Sequence, residues 1–219
     1  TYQITCSYFN MNSSFKNINP FPLMGNSYNA LDYLKVDLKD IPRNLKNTFE
    51  YDMKFYSETN NVKLLYGGYL EQRDIYDSFD LFKAQTSSRR NIHLGIDIWA
   101  PLNHEIFLPV SGTVHSFKDN TEAGSYGPTI IIKHTINEIT FYTLYGHLSK
   151  NSLKNLHQGK AIKSGEVLAC LGSSQENGGY APHLHFQVIK EVGDNFGDFP
   201  GVCSKHELEY YKQICPDPS

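Results

Sequence analysis

The chain has 219 residues, of which 40% are hydrophobic, and this length allows one substantial core together with a sizeable extension. Its 20 Lys and Arg residues nearly balance its 23 Asp and Glu residues, and the net charge of -3 argues against a nucleic acid or an anionic membrane as partner. No stretch approaches the roughly 18 consecutive apolar residues of a membrane span, and no C-x-x-C pair indicates a redox or zinc-ribbon site.

Residues 1–85 are predicted to form an N-terminal extension of unknown role, irregular and α+β in character. This part is rich in Asn, Tyr, Lys and Asp, and its hydrophobic periodicity is fragmentary. One helix is predicted from about Ala30 to Phe49, interrupted at Pro42, and a short strand around Val62 to Tyr66. Because the chain begins at Thr1 and not at Met, its start does not indicate a compartment.

Residues 86–219 are predicted to form a mainly β domain built on an antiparallel sheet. Runs rich in Ile, Val, Phe, Tyr and Thr alternate there with clusters of Gly, Pro, Asn or Ser, which is typical of such sheets. A final helix is predicted from Ser204 to Ile214, and it ends there because Pro216 cannot continue it. The predicted strands are Ile106 to Val110, Gly112 to Phe117, Thr129 to His134, Thr140 to Tyr145, Val167 to Leu171 and Leu184 to Ile189.

Two short segments place possible metal ligands on a common side of an extended chain. In Pro-His-Leu-His-Phe, strand alternation puts His183 and His185 on one face. In His-Leu-Gly-Ile-Asp, an extended chain puts His93 and Asp97 on one side, and Gly95 between them permits a close approach of the backbone. These segments offer the side-chain types that zinc accepts.

A catalytic zinc ion takes three protein ligands and keeps a fourth place for water, and the set His93, Asp97 and His185 meets that requirement. Zinc lowers the pKa of bound water to about 7, so hydroxide becomes available near neutral pH. His183 would stand beside this metal. The segment before His147 is typical of a strand that ends in a glycine turn, which would deliver His147 at a sheet edge and within reach of the same cleft.

Three motifs resemble the signature elements of the lysostaphin-like peptidoglycan metalloendopeptidases, in the same order. The resemblance covers about Ser88 to Val188, and three ordered motifs are far more specific than any one alone. It implies a β-sheet domain with an open groove and a zinc peptidase that cleaves a peptide or peptidoglycan-like substrate. The motifs are His93-x-x-x-Asp97, Tyr145-Gly146-His147-Leu148 and Pro182-His183-Leu184-His185-Phe186.

The same resemblance implies a division of roles among these side chains. His93, Asp97 and His185 would bind one zinc ion per chain, whereas His147 and His183 would be the catalytic pair. One of the pair would take a proton from water and help return it to the leaving amine, and the other would orient or stabilise the oxyanion. The resemblance leaves open which histidine does which.

Further segments resemble a subgroup in which this module is joined to class III aminotransferase-like and kinase-like modules. They include the stretch from Gly68 to Arg73 and the stretch from Asp198 to Gly201. In that subgroup Glu71, Arg73 and Tyr76 would line the cleft, whereas by themselves they are polar positions near a predicted strand. The subgroup implies a cytoplasmic small molecule or peptide as the substrate instead of cell wall.

Three positions are weaker candidates for substrate binding. Tyr126 and Tyr145 could each offer a phenol to the transition state, although packing is the default role in a chain with 15 tyrosines. Arg90 could bind an anionic substrate group or belong to a solvated turn. The sequence also departs from the resembled peptidases at Gln187, where they commonly carry Glu.

Three functional hypotheses follow. The leading one is a zinc metalloendopeptidase that cleaves peptide bonds of the peptidoglycan cross-bridge type, in the cell envelope or secreted. The second keeps the zinc site but assigns a cytoplasmic amide or ester that does not come from the cell wall. The third is a zinc-bearing module that binds peptide or glycan without turnover.

Overall fold

The computed structural model describes residues 19–42, 44, 48–78, 81 and 88–219. These residues form two α-helices, and short 3-10 helices connect several of the other elements. The helices are Phe49–Thr59 (α1) and Leu208–Ile214 (α2). The strands are Tyr33–Lys35 (β1), Leu64–Gly67 (β2), Arg90–His93 (β3), Ile96–Trp99 (β4), Glu105–Phe107 (β5), Gly112–Asn120 (β6), Gly127–Ile136 (β7), Ile139–Gly146 (β8), Ala161–Ile162 (β9), Val167–Cys170 (β10), His183–Ile189 (β11) and Val202–Ser204 (β12).

Eight strands form one large sheet in the order β1-β2-β4-β11-β8-β7-β6-β9. The pair β1 and β2 is parallel, and the other neighbours in this sheet are antiparallel. Two further pairs, β5 with β10 and β3 with β12, are antiparallel as well. The predicted mainly β, antiparallel class is confirmed. The predicted division between residues 85 and 86 stays a prediction, and β1 and β2 from the first part join the large sheet.

The two faces of β11 have different surroundings. Leu184 and Phe186 point into the main hydrophobic core, where neither is exposed. The alternate residues His183 and His185 point to the opposite face of the sheet. Farther along that face, Ile189 lies in a second cluster of buried side chains with Phe199. The sheet therefore has one covered face, and a second face that is covered at one end and bears histidines at the other.

A polar group is buried inside the main core at His134 on β7. Its Nε2 lies 2.7 Å from the Thr143 hydroxyl, its Nδ1 lies 3.1 Å from the Ser111 carbonyl oxygen, and its ring stacks on Phe141. The side chain has no solvent exposure. Burial disfavours the charged imidazolium and lowers the pKa of His134 to about 4.

We expect the free energy of unfolding to fall between pH 7.5 and pH 4.5 because of His134. In this window the imidazole is protonated in the unfolded chain, where its pKa is about 6.5, but stays mostly neutral in the folded chain. Stability is therefore lost as pH falls. The contribution is about 2–3 kcal/mol. Urea unfolding at both pH values should show a smaller loss in His134→Gln than in the wild type. Equal losses in the two proteins would contradict the prediction.

The predicted helix from about Ala30 to Phe49 is wrong. Residues Ala30–Asp32 and Leu38–Asp40 form 3-10 turns, with strand β1 between them. The side chains of Asn29 and Asp37 accept hydrogen bonds from nearby backbone N–H groups, which competes with helix formation. The α-helix instead begins at Phe49. Residues 43 and 45–47 of the predicted span lie outside the described residues.

The other predicted elements are found with shifted ends. The six predicted strands correspond to β5, β6, β7, β8, β10 and β11, and the strand around Val62 to Tyr66 corresponds to β2. The final helix starts at Leu208 instead of Ser204, because Ser204 ends β12, which pairs with β3. Of the described residues, no helix has the length and apolar character that crossing a membrane requires.

Candidate metal centre and cleft

His93, Asp97 and His185 meet on the histidine-bearing face of the sheet. His93 ends β3, Asp97 lies on β4, and the register of β11 places His185 directly opposite Asp97. Each side chain is at most 3% exposed. The ligand atoms that they offer all lie within 4.8 Å of one another. The structure thus brings His185 next to His93 and Asp97, which lie 92 and 88 residues earlier in the sequence.

The spacing of these atoms fits a small tetrahedral cation. Asp97 Oδ1 lies 3.3 Å from His93 Nε2 and 3.2 Å from His185 Nδ1, and the two nitrogens are 2.8 Å apart. Ligands held at 2.0–2.1 Å from zinc in a tetrahedron lie about 3.3 Å from one another. The two distances to the carboxylate match this value, and the nitrogens would have to separate by about half an ångström. The residues present therefore fit a zinc ion.

Hydrogen bonds to neighbouring residues fix which ring nitrogen of His93 and of His185 faces the other two proposed ligands. His93 Nδ1 lies 2.9 Å from the Gly68 carbonyl oxygen, to which it can only donate a proton. His185 Nε2 lies 3.0 Å from Gln187 Oε1. The amide of Gln187 in turn donates to the Pro200 carbonyl oxygen and to the sulfur of Cys215, each at 3.2 Å. Such contacts orient metal ligands and select their tautomers.

Gly95 allows the turn between β3 and β4 to lie against His185. A Cβ atom at this position would come within 2.6 Å of the Phe186 carbonyl oxygen and 2.8 Å of His185 Nε2. Real Cβ atoms do not approach other atoms so closely, so a side chain here would displace a strand or the imidazole. The close backbone approach expected at Gly95 is present.

His147 follows β8, an inner strand of the sheet, and enters the same cleft. The sequence placed it at a sheet edge, whereas the structure places it past the end of a strand flanked on both sides. Its backbone has a φ of +62°, and its Nδ1 lies 2.7 Å from the Asn177 carbonyl oxygen. Asn177 is fully buried and its amide bonds to the Gly172 and Tyr180 carbonyl oxygens. The imidazole is therefore anchored through one nitrogen.

His183 lies between His147 and Asp97. Its ring centroid is 4.2 Å from that of His147, and its Nε2 is 3.8 Å from Asp97 Oδ1. Its Nδ1 lies 2.7 Å from the Ala181 carbonyl oxygen, and Trp99 stacks on its ring at 5.7 Å. His147 and His183 thus share one arrangement, in which Nδ1 donates to a backbone carbonyl and Nε2 is left for other partners.

Burial keeps these imidazoles neutral. It lowers the pKa values of His147 and His183, and it lowers that of His93 to about 3. For Asp97, burial alone would raise the pKa, but His93 and the guanidinium of Arg73 outweigh it and hold the pKa well below its usual range. Neutral imidazole and ionised carboxylate are the forms that bind a metal.

The cleft around these residues has a volume of about 520 Å³. Tyr126 lines it, with its hydroxyl 3.4 Å from His185 Nε2, and so does Arg90, whose guanidinium donates to the Leu81 carbonyl oxygen. Tyr145 does not line it. That side chain has no exposure and packs on Phe186 in the main core, because its place on β8 points it to the opposite face. The structure therefore places Tyr145 in the core and not at the cleft, where a substrate contact was predicted.

Trp99, which lines the cleft, and Asn177, which contacts His147 from outside it, were not predicted as site residues. Trp99 stands two positions after Asp97 on β4, so strand alternation alone would have placed it on the same face. Asn177 holds His147 through its backbone carbonyl, and no side-chain pattern marks such a contact. Glu71, Arg73 and Tyr76 form a hydrogen-bonded group beside Asp97, and of these Arg73 and Tyr76 line the cleft.

Parts of this chain are similar to known proteins. Among solved structures, a zinc-containing peptidase from Vibrio cholerae is 25% identical, with a TM-score of 0.38 over 48% of this chain, and the chain spans 29% of that structure's length. The catalytic domain of lysostaphin from Staphylococcus simulans, described as an antimicrobial peptidase, is 23% identical over 56% of this chain and 80% of that one, with a TM-score of 0.39. A mutant of the catalytic domain of the prophage-encoded M23 protein EnpA from Enterococcus faecalis is 23% identical. The similarity covers 48% of this chain and 73% of that one, with a TM-score of 0.39.

Curated proteins give no significant match. The family model described as Peptidase family M23 matches residues 91–196, a span that contains His93, Asp97, His147, His183 and His185. Just under half of the chain is therefore similar to this peptidase family.

Proposed function

We propose that this chain is a metallopeptidase that uses one zinc ion, held by His93, Asp97 and His185, to hydrolyse a peptide amide bond. The observation that carries the proposal is the convergence of two imidazole nitrogens and one carboxylate oxygen, all within 4.8 Å of one another, in a cleft. Two nitrogens and one oxygen with a place left for water is a common ligand set of catalytic zinc. When bound, zinc would acidify a water molecule and polarise the carbonyl of the substrate.

His147 and His183 supply the proton chemistry in this proposal. Each donates Nδ1–H to a backbone carbonyl, so the Nε2 of the neutral ring is the acceptor for a proton. A neutral imidazole can take the proton of the attacking water and return it to the leaving amine. In its protonated form the second imidazole can stabilise the negative charge that develops on the carbonyl oxygen.

The proposed substrate class is a peptide of the peptidoglycan cross-bridge type. The support is the resemblance of the three ordered motifs to peptidoglycan metalloendopeptidases, together with the match to a peptidase family. The test is incubation of the zinc-loaded protein with cross-linked peptidoglycan and with short peptides that copy its cross-bridges. New amino groups should appear in both, and the absence of cleavage in either would contradict this substrate class.

A chelator should abolish the peptidase activity, and added zinc should restore it. The reason is that His93, Asp97 and His185 are proposed to hold the ion that acidifies the attacking water. The purified protein should contain about one zinc per chain, measured by elemental analysis. Activity that persists at full metal removal would refute the zinc mechanism.

One observation favours a second candidate, an amide or ester that does not come from the cell wall. The segment after β2 places Arg73 and Tyr76 in the wall of the cleft, and Leu38 and Phe49 from the N-terminal part line it as well. These residues lie outside the matched span 91–196 and would limit which substrates enter. Turnover in a screen of small amides, without cleavage of peptidoglycan, would favour this candidate. Binding without turnover in both assays would favour a binding module.

A further inference from the structure

Arg73, from the N-terminal part of the chain, contacts Asp97, one of the three proposed zinc ligands. Its side chain is 4% exposed, and its Nη1 donates to Asp97 Oδ2 at 2.5 Å. Its Nε donates to Glu71 Oε2 at 2.6 Å, and Nη1 also donates to the Tyr76 hydroxyl at 3.2 Å. The guanidinium is therefore held between two carboxylates and a phenol, one side chain away from the proposed metal.

Asp97 divides its two oxygens between this guanidinium and the histidines. Oδ1 faces His93 and His185, at 3.3 Å and 3.2 Å from their ligand nitrogens. Oδ2 is bonded to Arg73. Only one oxygen of Asp97 is thus directed at the position that a metal would occupy.

We infer that Arg73 is a positioning residue that makes Asp97 a single-oxygen ligand and so keeps one coordination place for water. The inference rests on the proposed zinc site. Without Arg73, the carboxylate could turn and offer both oxygens to the ion, which would fill the place that hydrolysis requires. The positive charge of Arg73 also reduces the negative charge that Asp97 presents, and this favours the acidification of a bound water molecule.

The burial of Arg73 is poorly explained by stability alone. A buried ion pair often contributes no more than apolar side chains of the same volume, because removing two charges from water is costly. Among the described residues, Nη2 of Arg73 is buried and has no hydrogen-bond partner, so one donor of the guanidinium is uncompensated. An arrangement that is expensive for folding and points at a metal ligand is better explained by its effect on that ligand.

The surrounding backbone is shaped to admit the guanidinium. A Cβ atom at Gly68 would collide with Arg73 Nη2 and would lie 2.9 Å from His93 Nδ1. Gly68 has a φ of +106°, which glycine adopts without strain. On the other side, Glu71 accepts a hydrogen bond from the Leu38 backbone at 2.6 Å, so the anchor of Arg73 is itself fixed. The N-terminal part of the chain therefore contributes to the geometry of the metal site.

The test compares Arg73→Met and Arg73→Lys with the wild type by two measurements that do not depend on turnover. Zinc affinity is measured by competition with a chromogenic chelator, and the visible spectrum of the cobalt-substituted protein reports coordination number. We expect Arg73→Met to bind zinc about 10-fold more tightly, because Asp97 gains a free oxygen and loses a neighbouring positive charge, and to show weaker four-coordinate cobalt bands. Arg73→Lys keeps one donor for Asp97 but loses the guanidinium group that also binds Glu71. Its zinc affinity should therefore lie between those of the wild type and Arg73→Met.

Arg89→Met is the matched control, since Arg89 makes an exposed ion pair with Asp74, and it should bind zinc as the wild type does. Wild-type affinity together with an unchanged cobalt spectrum in Arg73→Met would overturn the inference. If Arg73→Met does not fold by circular dichroism, the same comparison is decided by Arg73→Lys. A wild-type protein that binds no zinc would instead overturn the proposed function, and the inference with it.

Discussion

Asp97→Asn should lower zinc affinity by more than about 100-fold, a larger loss than for a residue that only contacts a ligand. Asp97 is the one carboxylate of the triad, and its Oδ1 lies within 3.3 Å of both ligand nitrogens. The amide keeps the shape of the side chain but removes the negative charge that offsets the cation. Elemental analysis after dialysis at micromolar zinc, followed by a competition titration, measures the effect.

Asparagine is the better substitution because Asp97 also compensates Arg73. Removing one partner of a buried ion pair destabilises a protein by about 3–5 kcal/mol, so Asp97→Ala would confuse loss of metal with loss of fold. Asn at position 97 can still accept a hydrogen bond from the guanidinium. Asp74→Asn, at an exposed ion pair, is the control and should retain zinc. Full zinc occupancy in Asp97→Asn would remove Asp97 from the ligand set.

His147→Asn should retain zinc and lose about 10²–10⁴-fold in turnover, the usual contribution of a general acid or base. The imidazole is anchored at 2.7 Å to the Asn177 carbonyl oxygen and is not one of the three proposed ligands. Asparagine is preferred to alanine here because His147 has a φ of +62°, a conformation that asparagine tolerates. The measurements are kcat with a cleaved substrate and zinc content on the same preparation.

His157→Asn provides the matched control for this change. His157 is exposed and outside the cleft, and its Nδ1 contacts only the neighbouring Gln158 carbonyl oxygen. Its replacement should leave both turnover and zinc unchanged. If His147→Asn also strips the metal, the division between zinc ligands and proton-transfer residues is incorrect.

Much of the sheet was predictable because local patterns decide it. β7 and β8 are runs of β-branched and aromatic residues bounded by turn residues, and both were found with ends shifted by one or two residues. The alternation at His183 and His185 likewise fixed which side chains share a face. The helix predicted from Ala30 failed because capping side chains and pairing with β2 outweighed its helical periodicity.

The position of Tyr145 depends on a turn directly after β8 that the sequence does not specify. Tyr145 and His147 are two positions apart, so in a continuous strand they would point the same way. His147 instead adopts a positive φ directly after β8 ends, and the chain turns into the cleft while Tyr145 remains in the core. No residue pattern at this position specified the reversal.

The sequence by itself determined the mainly β architecture, the identity of the candidate ligands and the pairing of histidines on β11, because these depend on residue type and on the two-residue period of a strand. Only the tertiary structure decided that β4 and β11 are neighbours in the register that sets Asp97 against His185. It alone also decided that Arg73, from a segment with no periodic signal, contacts the carboxylate of Asp97. Contacts between distant segments depend on how whole elements pack, and that information is not contained in the spacing of residues within any one of them.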